Sequence, residues 1–339
     1  MRRRLDSDRL TAILFITPSI IAILVFVYGF IGWTGWASLL KWDNIAMIAK
    51  GKLFPDVPFA GMDNYVRLLT TDQRFQTDLR NTLVFTLAFI VGCLGLGLLL
   101  AILLDQKVKG EAIFRGIYLF PMAVSFIVTG VVWRWLLNPG NSSTGPVGVN
   151  LLLEKLGLGF LQSAWYTNPE VGFIQPDSLV GGVLNSIGLD FLTTAKFGVP
   201  FAILSVVLAA TWQMSGYTMA MYLAGLRGVP EELREAARVD GANEFQIYRH
   251  IILPLLQPIT LSAVIILGHI SLKIFDLVSS MTGPGPAFAT DVPAYYMFDT
   301  VFRGNHFARG AAIAIILLLS VAVLVVPYLI NNMRSEVQR

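Results

Sequence analysis

The chain has 339 residues, of which 55% are hydrophobic and only 14% charged, with a mean hydropathy of +0.65. Soluble globular domains carry about 25% charged residues, so the composition excludes an ordinary soluble enzyme and points to a polytopic membrane protein. A net charge of +3 gives no argument for a nucleic-acid partner, and a single cysteine, Cys93, excludes a disulfide within the chain.

Apolar runs predict an all-α protein with six transmembrane helices at roughly 10–34, 81–104, 116–137, 198–226, 259–281 and 309–331. Unbroken runs mark helices rather than barrel strands, and a helix pairs its own backbone in lipid. The MRRR start precedes a long apolar run without a small-residue cleavage site and reads as a retained first span. Residues 1–80 form the first span and first outside loop, 81–331 the core, and 332–339 a tail. Lysine and arginine are denser in the short loops that lie inside when the N-terminus is inside, including Lys107, Lys109, Arg115, Arg227, Arg234, Arg238 and Arg249. Both termini are therefore expected in the cytoplasm of a multi-pass cell-membrane (inner-membrane) protein.

In the first outside loop, about 35–80, Trp33, Trp36 and Trp42 read as interfacial anchors, and Tyr65, Leu68 and Leu69 suit a helix along the outer membrane surface. The second span carries Gly92, Gly95 and Gly97, which let helices approach closely. Pro121 predicts a kink in the third span. The long outside loop 138–197 follows, in which 154–195 looks like an insertion. The fourth span has mid-membrane polarity at Thr211, Gln213, Ser215, Tyr217 and Thr218. In the fifth, His269, Lys273 and Asp276 are spaced to share a helical face. A charge at bilayer depth costs about 2.5–3.5 kcal/mol, so Lys273 and Asp276 are expected either to pair or to line a hydrated path.

Between the fourth and fifth spans, 229–258 is polar yet has helical grammar. Pro230 suits a first helical position, and Glu231, Glu232 and Glu235 suit the positive helix end. Gly241 offers a left-handed stop, and Asn243 with Gln246 reads as a fresh cap. Leu233, Ala236 and Ala237 are expected on one apolar face, and Phe245, Tyr248, Ile252 and Leu255 on another. The order Glu235-Ala236-Ala237, then Asp240-Gly241, then Ile251-Ile252-Leu253-Pro254 resembles the EAA loop of ABC importer permeases over about twenty residues.

Two further stretches carry the resemblance. FAGMDNYVRLLTTDQRFQTDLRNT is similar to the segment before the second span of sugar permeases. MTGPGPAFATDVPAYYMFDTVFRGNHFARGAA is similar to the region after their fifth span, with Pro284 and Arg309 at usual glycine positions. The chain is thus identified as similar to carbohydrate ABC importer permeases of the MetI-like fold, in particular the larger maltose permease subunit. The match is strongest over 198–331.

The resemblance implies a cytoplasmic coupling helix in which Glu235, Ala236, Ala237, Asp240, Gly241, Leu253 and Pro254 engage an ATPase subunit. It implies a second permease subunit in a heterodimer, two ATPase subunits that hold ATP and Mg, an external sugar-binding protein, and a sugar substrate. No cofactor is expected on this chain itself, which has no GxxxxGK[ST] phosphate loop, and no catalysis is expected. Alignment with the maltose system puts Gln213, Tyr217 and Ser271 beside the sugar path, with Lys273 and Asp276 added from their charge. Ser271 and Ile274 stand where that system has asparagines, which argues against maltose itself. The rival expectations are an importer permease for a non-sugar solute, a polytopic membrane enzyme, and a sensor that kept the coupling loop.

Overall fold

The computed structural model describes residues 7–43, 57–106, 109–141, 143–167, 179–188 and 199–337. Lys107 and much of 154–195 lie outside them. In chain order the helices are α1 (Ser7–Ile23), continued by a π-helical turn Leu24–Gly29 into α2 (Phe30–Ser38), then α3 (Asp63–Thr70), α4 (Gln73–Asp105), α5 (Glu111–Ala123) and α6 (Phe126–Leu136). There follow α7 (Gly148–Lys155), α8 (Leu179–Ser186), α9 (Phe201–Arg227), α10 (Glu231–Val239), α11 (Glu244–Ile247) and α12 (Leu253–Leu255). The last four are α13 (Gln257–Leu272), α14 (Asp276–Met281), α15 (Pro293–Phe298) and α16 (Phe307–Val337). Among the described residues there is no strand, only two isolated bridges.

Three helical segments there are long and apolar enough to cross a membrane: Ala12–Ser38, α4 and Phe307–Ile330. Two bent pairs raise the number to five if each is one span: α5 with α6, bent by 99°, and Glu244–Leu255 with α13, bent by 63°. Six spans are not reached on length and composition. Helix α9, though 27 residues long, falls below the same apolarity. Its Gln213, Ser215 and Thr218 are the reason, and they are buried. Packing against α4 and α5 covers these polar groups, while Leu208 and Trp212 on the same helix stay exposed.

The chain divides into two compact units, Met1–Asp72 with Met297–Leu319 and Gln73–Tyr296 with Ser320–Arg339. In the first, α3 is fastened to the end of α2. The Tyr65 and Ser38 hydroxyls lie 2.5 Å apart, and Asn64 Nδ2 donates to the Ser38 and Leu40 carbonyls at 2.8 and 2.9 Å. The helix expected over Tyr65, Leu68 and Leu69 is α3; Leu68 is buried in the unit, Tyr65 is half-buried and Leu69 is exposed. Trp42 is likewise buried, edge-on to Trp33 and against Phe307, rather than a free interfacial anchor.

In the second unit α9 is central. Helix α4 lies along it through Phe85, Phe89, Cys93, Gly97, Ala101 and Leu104, one helical stripe that is buried throughout. A side chain at Gly97 would collide with Thr218, whose hydroxyl bonds the Cys93 carbonyl at 2.8 Å. On another side, a Cβ at Gly216 would fall on the Tyr118 carbonyl of α5, a backbone atom that cannot swing away. Small residues therefore set how closely α4 and α5 approach α9.

Candidate functional site

The hairpin between α9 and α13 is built from its caps upward. Helix α10 begins at Glu231, with Pro230 as its N-cap, one residue later than the sequence suggests. It ends at Asp240, and Gly241 takes φ +85°, which L side chains adopt only under strain. Asn243 and Gln246 form a complete reciprocal capping box: Asn243 Oδ1 accepts from the Gln246 amide at 2.9 Å, and Gln246 Oε1 accepts from the Asn243 amide at 2.8 Å.

The buried face of the hairpin differs from the expected stripe. Ala237, Ile247, Ile252 and Leu256 are buried against Ala101, Leu104, Met219, Tyr222, Leu223 and Leu226. Leu233, Phe245 and Leu255 are exposed instead. The cause is the π-helical turn Tyr248–Ile252, which brings residues five apart onto one face, as Ile247 and Ile252 are. Ordinary helical spacing misses that register.

Ion pairs fix the hairpin's base. Arg234 Nη1 meets Asp105 Oδ2 at 3.1 Å, both side chains largely buried, and Arg234 Nη2 donates to the Leu226 carbonyl at 3.2 Å. One guanidinium thus joins α10 to the ends of α4 and α9. Beside it, Arg227 meets Glu111 at 2.7 Å, joining α9 to α5. Arg238 spans Glu231 at 3.7 Å and Glu244 at 2.8 Å, closing α10 onto α11. The hydrogen bond and the charge of Glu244 push the Arg238 guanidinium above its usual range. Asp105, Arg227, Arg234, Arg238, Glu231 and Glu244 rim a cavity of about 1030 Å³ lined also by Gly228, Val229 and Tyr248. The tip points the other way in character: Val239 is 88% exposed and Phe245 70%, with Glu235, Ala236, Asp240 and Gly241 exposed among them. Leu253 and Pro254 are exposed too, beside a separate cavity bounded by Leu94, Tyr222 and Thr260.

The five residues expected along the path differ in exposure and in partners. Gln213 is buried, and its Nε2 donates to the Val124 carbonyl at 2.6 Å. Val124 is extended and ends α5, and Ser125 caps α6, accepting from the Val128 amide at 3.3 Å. The third span is thus broken at Val124–Ser125, three residues beyond Pro121. Gln213 pairs a carbonyl that lipid could not. Tyr217 is half-buried against the main core. Ser271 is fully buried and bonds Thr86 at 2.9 Å.

Lys273 and Asp276 are exposed, and no ion pair joins them. The single helical face expected for His269, Lys273 and Asp276 does not exist, because α13 ends at Leu272 and α14 starts at Asp276. No proline or glycine causes this break. Lysine at a helix C-terminus and aspartate at an N-terminus each meet a favourable dipole, which suits an interruption there. Together with Phe126, Ile270, Ile274 and Phe275 they line a cavity of about 270 Å³ between the start of α6 and the break from α13 to α14. Close packing of α6 on α14 depends on Gly130, whose Cβ would meet Ser280 and the Leu277 carbonyl.

Sequence reasoning missed one polar cluster at the start of α4. Arg74 Nε meets Asp291 Oδ2 at 2.6 Å, and the Asp291 side chain is fully buried. The guanidinium lies 4.7 Å from the Phe288 ring and 4.4 Å from the Tyr296 ring. Asn81 Nδ2 donates to the Phe288 and Asp291 carbonyls at 2.8 and 2.9 Å. This clasp holds the segment after α14, where Ala287 and Phe288 take positive φ, onto α4. The sequence signals were the charged run DQRFQTDLRN at the start of an otherwise apolar span and the two permease-like stretches that contain these residues, neither of which says that they meet.

Comparison with known proteins gives this geometry its context. The profile of the family described as binding-protein-dependent transport system inner membrane component matches residues 93–338. A probable ABC transporter permease protein of Pyrococcus horikoshii is 39% identical over 336 residues, covering 99% of both chains. The xylose/arabinose import permease protein XacH of Haloferax volcanii is 31% identical, covering 97% of this chain and 90% of its own. A chain of a bacterial alginate ABC transporter, solved in complex with an alginate pentasaccharide-bound periplasmic protein, matches with a TM-score of 0.69 at 20% identity. The match covers 95% of this chain and 93% of that one, and it shows a shared fold. With the family profile covering most of its length, the chain belongs to the binding-protein-dependent transport system inner membrane components, the permease subunits of ABC importers.

Proposed function

We propose that this permease is one half of a sugar importer, pairing with a second permease to enclose the path and coupling to two ATPase subunits through the 229–258 hairpin. The observation that carries the coupling is the contrast within the hairpin: a base locked by Arg234–Asp105 and a tip with Val239 and Phe245 exposed. A rigid base with an apolar tip suits a lever gripped by a partner. ATP and Mg then reside on that partner, and both termini lie in the cytoplasm, the side where the hairpin's arginines fall. Helix α9 is the sixth span, long enough at about 1.5 Å per residue to cross the bilayer. The sugar reading rests on relatives such as the xylose/arabinose permease.

Within the path, Tyr217 offers a half-buried aromatic ring and a hydroxyl, which suits a sugar ring. Lys273 and Asp276 suit hydroxyl groups at the paired permeases' cavity, because each charge is already balanced by a helix end. Gln213 and Ser271 act from behind, through Val124 and Thr86. Tyr217→Ala is expected to cut sugar uptake by proteoliposomes of the full complex at least tenfold while the complex still assembles. Full uptake by that variant would remove Tyr217 from the path. Gln213→Ala is the poorer test, since it also orphans the Val124 carbonyl.

A further inference from the structure

The segment 148–161 is folded without help from a partner. Asn150 is its hub. Its Nδ2 donates to the Ser163 carbonyl at 2.8 Å, its Oδ1 accepts from Trp165 Nε1 at 3.0 Å, and its carbonyl accepts from Gln162 Nε2 at 2.9 Å. Asn150 turns inward, whereas Leu151, Leu152, Leu156, Phe160 and Leu161 are exposed, Phe160 at 80%, and the charged Glu154 and Lys155 are exposed on the turn of α7 opposite and beside Leu152 and Leu156. The segment is also tied to the end of a span. Tyr166 OH donates to the Arg134 carbonyl at 2.8 Å, and Gly148 sits so close to α6 that a Cβ would strike the Leu136 carbonyl. Next to that anchor, α6 exposes Val131, Val132 and Trp135, side chains that suit lipid and its interface.

We propose that residues 148–161 lie in the outer membrane interface, with Leu152, Leu156 and Phe160 immersed in lipid, as a continuation of the lipid-facing surface of α6. A soluble protein that docks and leaves would return these side chains to water each cycle, and an apolar patch of this kind is costly there. A lipid surface covers them permanently. The chemistry is that of an amphipathic segment with leucine and phenylalanine toward the acyl boundary and polar groups away from it. The inference does not depend on which solute is carried.

Cys93 is the chain's sole cysteine and is fully buried, so the native chain is an unlabelled control. Phe160→Cys and Leu156→Cys are spin-labelled in the whole complex, reconstituted in phosphatidylethanolamine–phosphatidylglycerol vesicles. Val131→Cys serves as the lipid reference and Ser143→Cys, exposed and outside the hairpin, as the aqueous one. Collisions with oxygen should exceed those with a water-soluble nickel chelate several-fold at Phe160 and Leu156, as at Val131. A nickel-accessible pattern like that of Ser143 at both positions, or low access to both reagents, overturns the proposal. So does nickel access that disappears only when the external binding protein is added, which would assign the face to that protein.

Discussion

Arg74→Ala is expected to be the most destabilising single truncation in the first half of α4, costing about 3–5 kcal/mol. Asp291 is fully buried and Arg74 lies 2.6 Å from it, so removing the guanidinium strips a buried carboxylate of its closest cation. The same change empties the space between Phe288 and Tyr296, which the guanidinium fills at 4.7 and 4.4 Å. The positive-φ turn at Ala287–Phe288 is also held onto α4 by the two Asn81 bonds and braced within its own segment by Thr290, whose hydroxyl and amide donate to the Gly283 and Pro284 carbonyls. Loss of monodisperse complex on heating, followed by size-exclusion chromatography, measures the effect. The comparison that isolates the cause is Arg74→Met with Asp291→Leu. Removing both charges leaves no buried carboxylate without its guanidinium, at the smaller cost of the Val292 amide's 3.0 Å bond to Asp291 Oδ1, so the double variant should be more stable than Arg74→Ala. A single variant that melts with the native chain, or a double variant that melts below the single one, would show that the pair is not the clasp.

Phe245→Glu is expected to abolish co-purification of the ATPase subunits. Phe245 is 70% exposed at the hairpin tip, so a charge there should leave the fold alone and, on the proposed coupling, act on the ATPase contact. Truncating or charging a central apolar anchor costs about 2–4 kcal/mol in an interface, a loss of about 30- to 1000-fold in affinity. Arg234→Ala should behave differently. It leaves Asp105 without the guanidinium 3.1 Å away and frees α10 from the ends of α4 and α9, while the tip stays intact. The ATPase is then still gripped, but its closure moves a loose hairpin, and uptake falls at least tenfold with ATP hydrolysis retained. Two variants in one hairpin thus separate docking from transmission. Native ATPase retention by Phe245→Glu would falsify the tip as the docking face. Normal uptake by Arg234→Ala would remove the base from the lever.

Much of the hairpin was written locally in the sequence. Gly241 signals a left-handed turn because it lacks a Cβ, and it takes φ +85°. Asn243 and Gln246 signal a capping box because their side chains reach one another's backbone over three residues, and the box is complete. The apolar runs likewise announce α1, α4 and α16, since hydrophobicity summed over twenty residues needs no tertiary partner to be read.

What only the tertiary structure decided lies where one helix answers another. The break at Val124–Ser125 follows from Gln213, 89 positions away in sequence, accepting the task of pairing a carbonyl. The break at Lys273–Phe275 has no proline or glycine to announce it. The register of the hairpin's buried face came from a π-helical turn seated on α4 and α9, not from the spacing of its apolar residues. Composition and caps act within a few residues and are legible along the chain. Broken spans, buried ion pairs such as Arg74–Asp291 and close glycine contacts such as Gly216 on Tyr118 depend on segments far apart in sequence meeting in space.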